Sequence, residues 1–496
     1  MGVIQRQGIK HSIVNFVGLL IGTASTLFIY SQQGVIEAYG LIQYLLGIAI
    51  IGYPVFALSG NTIAFRFFPK FQDKTNGHNG FSALLLLFCL AGWGVLALVA
   101  LLAWEPIRNN IRADSPLLKD YLWVAFPLTF FYTLSQVLGV YSANFKRIVI
   151  PSILNDFALK IFLPIQLVAV WQGWISLGTA LWLLLLHYFL VALALIYYLQ
   201  RLGEWTWRIN WAILSPSLRQ DMLRYGSFGI VSSLAFLIAT KSDAVMVGSL
   251  IDVKKTAVYV IALNIAAAIE IPTKSLYTVS ASFVARYLED ENWTELQELY
   301  RKVSINLLTA GLLLFGCIWV SAGDLYALMP NSEVVSQGLY VLFFMCIAKL
   351  VDMASGLNNQ LVFFSRHYRF SILSLGVLAV ANIAFNLWLI PMYGLNGAAI
   401  STLISVSCYN LFNLFLVYRK MNMQPFSWRT LLVTGLAAAA MAAVWFLPSS
   451  GYLLLNIGIR SGLFALIFGG LVLYFGISTD LNQLWDKALQ KFKKAV

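Results

Sequence analysis

Charge is what this sequence has least of. Only 11% of its 496 residues are Asp, Glu, Lys or Arg, against 60% hydrophobic, and the charged residues gather in short intervals between apolar runs of about 20 residues, the length that spans a bilayer. No polar helix face or strand alternation recurs every few residues, which excludes both a soluble globular domain and a transmembrane barrel. Cysteine and histidine are equally sparse. Cys89, Cys317, Cys346 and Cys408 all fall in apolar runs without short paired spacing, and they read as small core residues rather than as a disulfide framework or metal ligands. His11, His78, His187 and His367 are scattered. No HExxH, CxxC, GxSxG or phosphate-loop pattern occurs, so no soluble enzyme site is visible and no cofactor or metal is expected.

What is present is a series of apolar segments, expected as membrane helices near 11–31, 39–59, 80–104, 121–142, 152–171, 177–200, 223–248, 256–281, 303–322, 335–356, 371–391, 394–418, 430–447 and 452–476. The expected fold class is therefore an all-α polytopic membrane protein of about 14 transmembrane helices. Arg6 and Lys10 precede the first apolar run; it continues to about Tyr30 without a convincing cleavage site and reads as a first membrane helix, not a signal peptide.

The net charge of +12 raises the question of nucleic acid, and its distribution answers it. With the N-terminus cytoplasmic, 23 of the 33 basic residues fall on cytoplasmic segments and five, Arg108, Arg112, Lys119, Lys254 and Lys255, on external loops. This asymmetry predicts both termini inside and accounts for the charge without a nucleic-acid partner. Two cytoplasmic stretches read as amphipathic. Residues 286–302 space Leu288, Trp293, Leu296, Leu299 and Tyr300 along one side, and the basic tail 477–496 repeats the pattern with Leu481, Leu484, Trp485, Leu489 and Phe492.

An internal repeat is detectable. Asn155 stands nine residues before Pro164 in NDFALKIFLP, and Asn382 nine before Pro391 in NIAFNLWLIP, at an offset of 227. Helix five thus matches helix eleven, both entering from the cytoplasm, which predicts two parallel six-helix lobes, 1–200 and 223–418, with a terminal helix pair at 430–476. In the second copy Asn382 and Asn386 share one helix face, and that face cannot meet lipid because a carboxamide in hydrocarbon lacks partners. Pro391 and Gly394 then turn the chain into Asn396, Gly397, Ala398 and Ala399, whose small side chains allow close helix approach.

Ionisable residues inside these segments carry the functional argument. Asp156 and Lys160 lie in helix five, Lys241 and Asp243 in helix seven, Glu270 and Lys274 in helix eight, and Lys349 and Asp352 in helix ten, with His187 and Arg460 apart. A charge at the bilayer centre costs roughly 2.5 kcal/mol or more, so these groups must face protein or a water-filled cavity. One reading is self-neutralisation within a helix, at i,i+4 for Asp156 with Lys160 and Glu270 with Lys274, and at i,i+3 for Lys349 with Asp352. The other is a polar cavity, because apolar residues would avoid the desolvation penalty altogether. There Lys160, Lys241, Lys274 and Lys349 would receive an anionic headgroup, while Asp156, Asp243, Glu270, Asp352 and Asn155 would tune charge or bind a coupling Na+ or H+. His187 reads as a hydrogen-bonded core residue, and Arg460 as a side chain snorkelling to the external surface.

FNLWLIPMYGLNGAAIST, EAYGLIQYLL from Glu37, LSGNTIAFRFFPKF from Leu58 and KSDAVMVGSLIDVKKTAVYVIALNIA, with Asp243 and Tyr259, together resemble the multidrug/oligosaccharidyl-lipid/polysaccharide (MOP) exporter superfamily, specifically its Wzx-like O-antigen flippases. The resemblance implies movement of undecaprenyl-pyrophosphate-linked oligosaccharide from the cytoplasmic to the external leaflet of a bacterial inner membrane, for surface polysaccharide such as lipopolysaccharide. It implies alternating access, the bilayer and lipid-linked glycan as partners, and an association with a polysaccharide polymerase and other assembly proteins. Two further readings are a multidrug/cation antiporter of the same superfamily, which would have an acidic, cation-poor cavity, and a membrane polysaccharide polymerase or glycosyltransferase. The last needs a sizeable external loop for sugar chemistry. The longest external connection, about 105–120, is short, so the chain is expected not to be an enzyme.

Overall fold

A computed structural model describes residues 3–109, 115–367, 369–448, 450–478 and 480–483. Arg112 and Asp114 of the external connection, and the amphipathic tail from 484 onward, lie outside the described residues. Each of the fourteen expected segments falls on helix to within a few residues. Among the described residues twelve stretches are long and apolar enough to cross a membrane; one of them, Arg369–Met421, holds two expected segments, and Ile13–Phe28 is a shorter apolar helix. The chain is a multi-pass, all-helical membrane protein.

By packing, the chain divides into two compact units, 1–260 and 261–496. The division falls later than the lobe boundary expected near 200–223, because the helix Pro216–Leu250 packs along Ile36–Phe56 inside the first unit. In that unit Ile36–Phe56 also packs on Ala125–Ala143, which in turn packs on Leu177–Arg201. Helix Ile36–Phe56 does not run on into the next element. Leu58 and Ser59 take left-handed backbone angles, φ 44° and 61°, and a short helix, Gly60–Phe71, occupies what the sequence marked as loop. Its Phe67, Phe68 and Phe71 bury against Phe81, Tyr141 and Leu199, an aromatic cluster with ring centroids such as Phe71–Phe81 at 4.6 Å.

In the second unit, Trp293–Val320 packs on Leu339–Ala354, Trp428–Trp445 and Leu453–Tyr474. The amphipathic stretch 286–302 is not a helix of its own. It is the end of Ile271–Glu289 and the beginning of Trp293–Val320, joined by a turn in which Asn292 caps the second helix by accepting from the Glu295 amide at 3.3 Å. Leu296 and Tyr300 are buried there, which accounts for the apolar side seen in the sequence.

Arg369–Met421 could not lie straight, since 53 residues of α-helix run to about 80 Å, more than twice the bilayer core. The bend comes at Gly394, φ 58° and ψ −132°, a conformation closed to residues with a Cβ. Beyond it the two legs close on each other so tightly that a Cβ on Gly397 would stand 2.1 Å from the Leu389 carbonyl oxygen. Asn382 and Asn386 are fully buried between them. The Asn386 amide donates to Asn382 Oδ1 at 3.1 Å, and Ser401 Oγ donates to the Asn382 carbonyl at 3.1 Å. Both asparagines are thus enclosed by protein, not lipid.

Gly397→Val should lower stability by about 1–3 kcal/mol, because the backbone it touches cannot yield as a side chain could. Gly435→Ala, where an added Cβ meets nothing within 4 Å, should leave the melting temperature of the purified protein unchanged. Equal melting temperatures for the two variants would refute the hairpin contact.

Candidate functional site

The membrane-embedded ionisable residues fall into two groups, one in each packing unit. In the first unit, the helix carrying Asn155, Asp156 and Lys160 is not a uniform α-helix. Val149–Ser152 passes through a π turn, Ile153–Phe157, before Ala158–Trp171 resumes. Such a turn inserts an extra residue, is rare, and concentrates at functional positions. Here it contains both Asn155 and Asp156. Asn155 is buried and its amide donates to the Ser135 carbonyl at 3.4 Å, while Asp156 is exposed from the protein with Ser152 Oγ 3.5 Å away. Lys160 lies one turn on, its stem against helix Val3–Phe28, where a Cβ on Gly18 would meet Lys160 Cδ at 3.2 Å and Nζ at 3.4 Å.

Lys241 and Asp243 sit in Pro216–Leu250 with opposite surroundings. Lys241 is exposed. Asp243 is buried and accepts from the Tyr259 hydroxyl at 2.9 Å, so the aspartate and tyrosine singled out by the resemblance are bonded to each other.

In the second unit the pairing is made across helices. Lys349, on Leu339–Ala354, forms an ion pair with Glu270 and not with its neighbour Asp352. Glu270 closes the 3₁₀ turn Ala267–Glu270, two residues before Pro272; the tighter turn aims it away from Lys274, which is exposed and makes no ion pair among the described residues. Asp352 is instead held by amides. Asn410 Nδ2 donates to Asp352 Oδ1 at 3.2 Å, and Asn358 Nδ2 donates to Asn410 Oδ1 at 2.9 Å. Tyr277 extends the polar surface, its hydroxyl donating to the Gly356 carbonyl at 2.7 Å. Asn358, Asn410 and Tyr277 carried no signal in the sequence beyond being polar in apolar runs.

The two isolated groups also behave differently from expectation. Arg460 does not snorkel; it pairs with Asp324 at 2.9 Å and donates to the Leu447 carbonyl at 3.1 Å, while Asn456 supports the same aspartate at 3.4 Å. A carboxylate on the neighbouring helix end supplies inside the protein what a snorkelling arginine would seek in the headgroups. His187 stacks on Phe162 at 5.0 Å, and its Nε2 has no hydrogen-bond partner among the described residues.

The second unit further contains an apolar cavity of about 640 Å³, walled by Leu276, Thr309, Leu313, Phe468 and Val472, with Asn306 and Asp480 at one end. Asp480 pairs there with Lys302 at 2.7 Å and accepts from Asn306 at 2.8 Å. Burial alone would raise the Asp480 carboxyl, but the hydrogen bonds from Lys302 and Asn306 outweigh it and hold the group below its usual range.

No family model matches the chain. Among curated proteins it is similar to the probable flippase AglR of Haloferax volcanii, 26% identical over 211 residues, which cover 40% of this chain and 42% of that protein. The chain thus spans less than half the length of that relative. Among solved structures it is similar to the lipid II flippase MurJ in an inward closed conformation, with a TM-score of 0.73 and 15% identity over 95% of this chain and 100% of the other. It is also similar to an inward-facing multidrug resistance MATE family transporter of the MOP superfamily, TM-score 0.54 and 16% identity over 82% and 94%. A MOP superfamily transporter from Pyrococcus furiosus gives a TM-score of 0.51 and 14% identity over 85% and 95%. The chain has the fold of the MOP exporters.

The cross-helix pair can be tested by a thermodynamic cycle. Lys349→Met should destabilise the protein by leaving the Glu270 carboxylate half-buried without its cation, and adding Glu270→Gln should restore much of the loss, with a coupling of about 0.5–3 kcal/mol. Additive melting shifts for the two substitutions would show that the residues do not interact.

Proposed function

We propose that this protein is a flippase that moves an undecaprenyl-pyrophosphate-linked oligosaccharide from the cytoplasmic to the external leaflet by alternating access, in surface polysaccharide biosynthesis. The observation that carries the reading is the set of ammonium groups kept within apolar helices of a MOP-fold protein: Lys160 against Gly18, Lys241, Lys274, and Lys349 beside Glu270. A lipid-linked pyrophosphate is a dense anion on a long apolar chain. Lysines complement the first, and charge-assisted hydrogen bonds to phosphate oxygens are strong when water is scarce. An apolar cavity such as that between Leu276, Leu313 and Phe468 complements the second. Asp156, Asp243, Glu270, Asp352 and Asn155 would offset the lysines between substrate molecules and hold a coupling Na+ or H+.

The names of the similar proteins support the same direction: two are called flippases, one of them for lipid II. No arginine stands between residues 11 and 31, where the resemblance leads one to expect it in a lipid II flippase, so a glycan carrier other than lipid II is the narrower reading. The MATE-like fold keeps a multidrug/cation antiporter as the second reading; four membrane lysines oppose it, because they would repel a cationic drug. The positive-inside count supports cytoplasmic termini, and the resemblance supports a bacterial inner membrane, with the polymerase and other assembly proteins of the same polysaccharide as partners.

Depletion of the protein should make one lipid-linked oligosaccharide accumulate on the cytoplasmic side, identified by mass spectrometry of extracted lipids. Lys160→Ala, Lys241→Ala, Lys274→Ala and Lys349→Ala should each slow its translocation by on the order of tenfold or more, the loss of a charged hydrogen bond, while Lys119→Ala and Lys254→Ala should not. Folded variants of all four membrane lysines that translocate at the native rate would end the cavity reading, and a drug-efflux phenotype without glycan accumulation would favour the antiporter.

A further inference from the structure

The segment between helices Leu177–Arg201 and Pro216–Leu250, GEWTWRINWAILS, carries three of the chain's 15 tryptophans. It has almost no regular structure, yet it is fixed along its length. Glu204 accepts a hydrogen bond from Nε2 of His78, a buried imidazole whose Nδ1 in turn accepts from the Asp73 amide at 3.2 Å, so that its proton sits on Nε2 and points at the carboxylate. Tyr141 donates to the Glu204 carbonyl at 2.8 Å. Ser82 Oγ donates to the Thr206 carbonyl at 2.9 Å and accepts from the Thr206 amide at 3.0 Å. Asn210 donates through its backbone to the Asn79 carbonyl at 3.2 Å and through its side chain to Asn79 Oδ1 at 3.0 Å. At Gly80, φ +79°, a Cβ would stand 2.2 Å from the Arg208 carbonyl oxygen, so the two loops lie in backbone contact.

This clamp sorts the loop's side chains by side. Trp205, Ile209 and Ile213 turn inward against the aromatic core. Trp207 and Trp211 turn outward, 60% and 57% exposed, with Arg208 between them also exposed. A loop built to face water would have no reason to be locked with two indoles outward. Within the loop itself the charges are Arg208, which is exposed between the two indoles, and Glu204, which is half-buried and hydrogen-bonded to His78. Depth agrees as well. Leu177–Arg201 has 25 residues and runs about 37 Å, enough to cross the hydrocarbon and end among headgroups, and its last turn already sets Arg201 over the Tyr197 ring, 5.2 Å from the centroid.

We infer that residues 204–213 form a preformed anchor that binds the anionic lipid surface of the cytoplasmic leaflet, Trp207 and Trp211 entering the headgroup layer and Arg208 contacting lipid phosphate. An indole has an apolar body and one N–H donor, which suits this layer and neither bulk phase. The guanidinium adds an attraction to anionic headgroups that vanishes in a neutral bilayer. The inference requires only that the chain spans a membrane with this loop cytoplasmic, and it stands or falls separately from the substrate.

The full-length protein is labelled with 5-fluorotryptophan and reconstituted in vesicles of phosphatidylcholine with or without phosphatidylglycerol, the fluorine signals of positions 207 and 211 being assigned by Trp207→Phe and Trp211→Phe. Both signals should be broadened by lipid doxyl-labelled at carbon 5 and spared by a water-soluble gadolinium chelate. Arg208→Gln should reduce the preference for phosphatidylglycerol over phosphatidylcholine by on the order of fivefold, while Arg301→Gln leaves it unchanged. Signals broadened by gadolinium and spared by the doxyl lipid overturn the inference and mark the loop as a face for a soluble protein, and a lipid preference indifferent to Arg208 overturns the phosphate contact.

Discussion

Water is missing from the hydrocarbon core of a bilayer, and every polar group placed there must find its partner inside the protein. The consequences run through this structure at each scale. The backbone satisfies itself by being helical almost throughout. Where the chain turns between two apolar legs, at Gly394, the legs close on each other, Asn386 bonds to the Asn382 side chain, and Ser401 bonds to the Asn382 backbone carbonyl. Where charges are kept, they are paired across helices, as with Lys349 and Glu270, or cradled by amides, as with Asp352, Asn410 and Asn358.

The same constraint separates structural charges from functional ones. Arg460 pairs with Asp324, and Asn456 and the Leu447 carbonyl bond to the same pair; the cluster fastens the last helix pair to the short helix Ala322–Leu328. Lys160 and Lys274 are half-exposed and exposed at the surface of their own units, and a charge exposed at membrane depth is costly unless something anionic or aqueous meets it. That cost is why the membrane lysines are proposed as substrate groups.

Much of the fold was legible because the apolar run is a strong signal: a helix needs about 20 residues to cross, and the sequence repeats that length with charged punctuation. The short helix Gly60–Phe71 was missed because its apolar face, Phe67, Phe68 and Phe71, is interrupted by Arg66 and Lys70 and by Pro69. The stretch 286–302 was seen as amphipathic but not as two helix ends, since the turn at 290–292 depends on the Asn292 cap rather than on a change in pattern. The candidate site was legible as a list of residues and not as a set of partners. Spacing suggested Glu270 with Lys274 and Lys349 with Asp352; the 3₁₀ turn before Pro272 redirects Glu270 to Lys349 instead.

The repeat shows the boundary most clearly. The sequence alone determined that Asn155 and Asn382 stand in equivalent settings nine residues before a proline, that they lie in membrane segments, and that a carboxamide there must face protein, because hydrocarbon offers no partner. Tertiary structure alone decided which partner. The Asn155 amide reaches back to the Ser135 carbonyl from inside a π turn, whereas the Asn382 carboxamide oxygen accepts from Asn386 one turn on and its backbone carbonyl accepts from Ser401 of the leg that follows. Local sequence sets what a side chain cannot tolerate, whereas the choice among the partners that would satisfy it is made by how distant helices come together.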